Sequence, residues 1–132
     1  MTLDEIATAI NGISISKGII MLGYPISTKP LPVVRIKHSS YSQAVDTNFP
    51  FVLVFGCYIT GTSGMVRKIV KVDRSNSTIN EVDTLGSFGS SATLHYTIND
   101  TEIAIATNSG TLMNFNQTST QQGYITLIGA KK

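Results

Sequence analysis

From Gly12 onward the chain is built from short runs of alternating or continuous apolar residues, each closed within about ten residues by Gly, Pro, Asn or Asp. Val33 to His38 sets Val34, Ile36 and His38 on one face and Val33, Arg35 and Lys37 on the other. Ala92 to Ile98 repeats the pattern, with Ala92, Leu94, Tyr96 and Ile98 opposite Thr93, His95 and Thr97. A period of two is that of extended backbone, whose side chains alternate across a sheet. Pro50 to Ile59 is apolar without alternation, which predicts a strand buried on both faces. Met65 to Asp73 and Thr78 to Val82, joined through a polar Asp73 to Ser77 link, predict a hairpin.

Further strands are expected at Ile19 to Leu22, Glu102 to Thr107, Thr111 to Phe115 and Gly123 to Ile128. Ile103 and Ile105 share one face of theirs. The prolines at 25, 30 and 32 make their stretch a connection, because proline cannot donate to a sheet ladder. About eight or nine short strands with turns roughly every 8–12 residues are the pattern of an antiparallel β-sandwich or jelly roll. Residues 13–132 then form one β-domain.

The first dozen residues differ. Thr2 and Glu5 stand three apart, as in a capping box, and Leu3, Ile6 and Ile10 recur at helical spacing before Asn11-Gly12. Residues 1–12 therefore read as a short helix with one apolar stripe, marginal alone and in need of a surface to cover it. That surface is either copies of itself, which makes the segment an oligomer stem, or one end of its own sandwich.

Composition narrows the chemistry. At 132 residues, 42% of them hydrophobic, the chain can bury a core without metal or disulfide staples. Only 14% are charged, against roughly 25% on average, and the net charge is +2. The ten basic residues are dispersed and no aromatic platform interleaves them, so nucleic acid is not an expected partner. The low charge points instead to a neutral ligand. No apolar run reaches the ~18 residues of a membrane span, and Asp4 and Glu5 occupy the place of a basic leader.

Catalytic and metal signatures are weak throughout. His38 and His95 are the two histidines and neither has a ligand partner at metal spacing, so no metal or cofactor is expected. His95 reads as a solvated strand position and His38 as a half-buried, hydrogen-bonded ring. The single Cys57 lies in the apolar 51–59 run, the setting of an inert thiol. Gly86 to Ser91 lacks the strand-to-helix elbow of a serine nucleophile. Glu81 and Asp83 stand two apart and would share a strand face, the one carboxylate pair that a hydrolase could use. Asp73, Asp100 and Glu102 flank turns without a calcium-loop pattern. The sequons at Asn76, Asn99 and Asn116 are what so Ser- and Thr-rich a chain carries by chance. Among the aromatics, Tyr41 in its serine-rich loop and Phe88 among glycines and serines are the expected exposed ligand contacts.

A short striped helix, then a Ser/Thr/Asn-rich β-domain, then a hydrophobic last strand, Gly123 to Ala130, that would close the sheet: this order resembles the C-terminal head of a bacteriophage tail fibre, tailspike or receptor-binding protein. The resemblance implies a parallel homotrimer carried on a virion and made in the host cytoplasm. Leu3, Ile6 and Ile10 would lie on the trimer axis, and the polar loops would contact a host-surface carbohydrate or protein, with no catalysis. The alternatives are a structural trimerisation, capsid or baseplate role without a ligand and, third, a small hydrolase.

Overall fold

The computed structural model describes residues 18–24, 29–59, 65–84, 93–107, 111–115 and 123–132. The expected helix over 1–12 and its stripe of Leu3, Ile6 and Ile10 lie outside the described residues, as does Phe88. Described in chain order, the strands are β1 (Ile19–Gly23), β2 (Val33–Lys37), β3 (Phe51–Ile59), β4 (Met65–Asp73), β5 (Thr78–Thr84), β6 (Leu94–Ile98), β7 (Glu102–Thr107), β8 (Met113–Asn114) and β9 (Tyr124–Ala130). The fold is all-β, and every strand pair is antiparallel. The larger sheet runs β1-β9-β3-β4-β5, with β8 also on β3, and the smaller runs β2-β7-β6.

One core joins the two sheets. Phe51, Leu53, Phe55 and Cys57 of β3 meet Val66, Val70 and Val72 of β4 and Ile125 and Leu127 of β9 on the large-sheet side. Val34, Ile36, Leu94, Ile103 and Ile105 face them from the small sheet. Removing a side chain of this size from water contributes about 1.5–3 kcal/mol, so these positions dominate the stability. The expected burial of β3 on both faces holds. Val52 is fully buried on the side away from the core, beside Ile69, Ile128, Ile19 and Val54. A central strand between β9 and β4 has neighbours on both edges as well, which is why its sequence shows no alternation.

The alternating runs fold as their patterns predict. In β2, Val34 and Ile36 are buried while Arg35 and Lys37 are exposed; in β6, Leu94 is buried and His95 and Thr97 are exposed. The 65–82 hairpin forms, and β5 continues to Thr84. The hydrophobic last strand, β9, lies inside the larger sheet between β1 and β3. The β4–β5 ladder shifts register between Ile69 and Val70, which sets Glu81 opposite Val70 and Asp83 opposite Ile69. Val70 faces the shared core and Ile69 the opposite side of the sheet.

The approach to β9 depends on a glycine. A Cβ on Gly123 would lie 2.3 Å from the Phe115 Cα and 2.8 Å from its carbonyl carbon, so backbone would have to move. Gly123→Ala is expected to destabilise the protein by about 3 kcal/mol through this overpacking, read from the denaturant midpoint in chemical unfolding. An unchanged midpoint would show that the backbone at Phe115 yields freely.

Candidate functional site

Three connections converge at one end of the two sheets. After Lys37 the chain turns through a short 3-10 segment, His38–Ser40. The β4–β5 turn delivers Arg74, and the β6–β7 turn delivers Asn99, Asp100 and Thr101. Each turn is held by its own side chains. The Asp73 carboxylate accepts from the Ser75 amide at 3.1 Å, the Ser75 hydroxyl at 2.6 Å and the Asn76 amide nitrogen at 2.9 Å. The Ser75 hydroxyl bond leads in holding the Asp73 carboxyl below its usual range. The Asn99 side-chain Oδ1 does the same for the next turn, accepting from the Thr101 amide and hydroxyl, both at 2.8 Å, and from the Glu102 amide at 3.0 Å. A backbone bond from the His38 N–H to the Thr101 carbonyl, 2.9 Å, ties the first connection to the third.

Arg74 links all three. Its guanidinium donates to the Tyr41 hydroxyl at 3.2 Å and to the Asn99 backbone carbonyl at 2.5 Å. The Tyr41 hydroxyl stands 3.4 Å from His38 Nδ1. The Tyr41 ring meets His38 edge-on, with centroids 5.3 Å apart, and tilts against Phe51 at 5.2 Å. Its expected exposure is therefore corrected: Tyr41 is 2% exposed and belongs to the core. The serine-rich neighbourhood hides this, because Ser39, Ser40 and Gln43 stay near the surface while the turn carries the ring inward. Burial is the main cause that raises the phenol's pKa above 10, with Arg74 opposing it.

Above this framework opens a cleft of about 470 Å³ lined by Lys37, His38, Ser39, Asp100, Thr101 and Glu102. It offers an ammonium donor, the Asp100 carboxylate as acceptor, the Ser39 hydroxyl that can do either, the Thr101 hydroxyl as acceptor because its proton goes to Asn99, and an imidazole. Glu102 is engaged with Arg35 at 2.5 Å. Burial first, and then the positive charge of Arg74, lower the His38 pKa; Asp100 opposes them and Lys132 adds to them. The sequence marked His38 as half-buried and Asp100 and Glu102 as turn-flanking acids, and the fold brings these three to one cleft. Arg74 carried no signal of its own beyond its place in a turn.

Elsewhere the chemistry is closed. The Cys57 thiol is buried, and that burial pushes it up to about 12, far from a reactive thiolate. On the inner side of β5, Glu81 accepts from the Tyr96 hydroxyl at 2.5 Å and lies 3.4 Å from Lys68 Nζ, a polar bridge between the two sheets. Among the described residues no three of His, Cys, Asp and Glu group as metal ligands would. Comparison with protein-family models, with curated proteins and with solved structures gives no match.

Two outcomes test this framework. Tyr41→Phe leaves Arg74 and His38 short of a buried partner and is expected to cost about 1–2 kcal/mol in chemical unfolding, with the fold retained. His38 prefers to be neutral in the folded chain, so its contribution to stability is present above its ordinary pKa of 6.5 and is lost as pH falls through its lowered folded value. The unfolding midpoint should therefore decline on acidification from pH 6.5 down to the lowered folded value, and His38→Asn should flatten that part of the profile. A variant profile that superimposes on the parent's would remove His38 from the account.

Proposed function

We propose that this chain is a non-enzymatic recognition domain that binds carbohydrate in the cleft formed by Lys37–Ser39 and Asp100–Glu102. The carrying observation is the cleft itself. Its donors and acceptors are mixed, as sugar hydroxyls require, and its three connections are fixed by hydrogen bonds within the chain. Binding to such a preformed site does not require loops to be ordered first. The closed thiol and the structural role of Tyr41 support binding over catalysis.

On this reading the two sheets form a β-sandwich head of the tail-fibre kind. The domain is displayed on a virion as a homotrimer through its N-terminal stripe and contacts a host-surface glycan. The second reading, an assembly or decoration module without a ligand, shares the fold and differs at this cleft alone.

Backbone amide spectra recorded against a panel of monosaccharides and short oligosaccharides separate the two. Carbohydrate recognition is expected to shift the signals of Lys37 to Ser39 and Asp100 to Glu102 together. Asp100→Asn should weaken that response about tenfold, the effect of one lost charge-assisted hydrogen bond. A panel that leaves the cleft signals unmoved favours the assembly role.

A further inference from the structure

We infer that the outer face of the larger sheet is the seat of this chain's own residues 12–17, which cross it with Ile13 and Ile15 against Val52, Ile69 and Ile128. The inference is independent of the cleft, and it leaves Leu3, Ile6 and Ile10 to meet other copies.

Val52 is 0% exposed, Ile69 2% and Ile128 3%, and they cluster apart from the shared core. The smaller sheet lies on the other side, where Val34, Ile36 and Ile103 meet Phe51, Leu53 and Phe55. Among the described strands, therefore, none covers Val52, Ile69 or Ile128. Neighbours within a sheet stand beside a side chain, roughly 5 Å away, and leave its tip in water. Met21 shows this in the same row: it pairs with Ile128 from the edge strand and is 54% exposed. Lys71 flanks Val52 and can lay its stem over that side, but Ile128 stands on the other. Three aliphatic side chains this dry, on three adjacent strands, need an apolar cover.

Residues 12–17 supply one. Gly12-Ile13-Ser14-Ile15-Ser16-Lys17 alternates isoleucine with serine, so extended backbone presses Ile13 and Ile15 on the sheet and turns Ser14 and Ser16 to water. The stretch leads into β1 at the edge of this same sheet, and Ile19, the first residue of β1, packs against the same cluster. Gly18, between them, has φ +82°, and a Cβ there would meet nothing within 4 Å. The glycine is thus needed for its left-handed backbone and not for space, and that turn lets the chain fold back over the sheet it then joins. From Gly18 to Ile13 an extended chain reaches roughly 17 Å, and β4 lies three strand spacings in from β1, roughly 14 Å. The other stretches outside the described residues suit this face less. Residues 60–64, 108–110 and 116–122 hold no large aliphatic side chain, 85–92 leads from β5 to the smaller sheet, and 25–28 follows β1 at the end remote from Ile19.

Nuclear magnetic resonance on the full chain with labelled methyl groups tests the assignment. Cross-relaxation is expected between the methyls of Ile13 and Ile15 and those of Val52, Ile69 and Ile128. In a sample mixed from labelled and unlabelled copies, no such contact should join one copy to another. A soluble gadolinium chelate should relax the Val52, Ile69 and Ile128 methyls several-fold faster in the double variant Ile13→Ser, Ile15→Ser than in the parent, with the core methyls of Leu53 and Ile103 unchanged as the check on folding. Equal shielding in parent and variant would show a different cover and overturn the inference. Contacts that join only different copies would give the seat to a second molecule, and would overturn it too. If the double variant does not fold, the parent decides alone: absent cross-relaxation there rejects the inference.

Discussion

The inner strand β3 carries the structure. It pairs with β9 and β8 along one edge and β4 along the other, sends Phe51, Leu53, Phe55 and Cys57 into the shared core, and buries Val52 on its second face. A strand with four buried sides has nowhere to slip. A shift of one residue would exchange Phe55 with Val54 and Gly56 and misplace the whole aromatic row. The smaller sheet is positioned against that row by Ile36, Ile103 and Ile105. The cleft therefore sits at the end of a frame that is fixed by packing.

Polar interactions take over where packing ends. Arg74 is a half-buried cation whose bonds go to Tyr41 and Asn99, and it holds turns from both sheets at one corner. Such a cation with neutral acceptors is less favourable to bury than one in an ion pair. That cation also reaches His38: burial first, and then the charge of Arg74, lower its pKa, while Asp100 opposes them.

Much of the fold was legible because it is local. The alternation in Val33 to Lys37 and Leu94 to Ile98, the continuous run at 51–59 and the turn chemistry at Asn99 and at Asp73 to Ser77 each declare themselves within a few residues. The inert thiol at Cys57 followed from the same run. Tyr41 was misread because its neighbours are polar, and local polarity does not report where a turn will aim a ring. The β4–β5 register shift was invisible because Val70 and Ile69 look alike to any partner strand.

By itself, the amino-acid sequence determined the strands, their buried faces and the turns between them, since these depend on the period of two and on residues that favour tight turns. The tertiary structure alone decided the strand order, with β9 inside the larger sheet, and the meeting of Lys37, His38, Arg74 and Asp100 at one corner. Those contacts join residues separated by dozens of positions, and the free energy that selects them comes from burying the two sheets against each other. No short stretch of the chain contains that term.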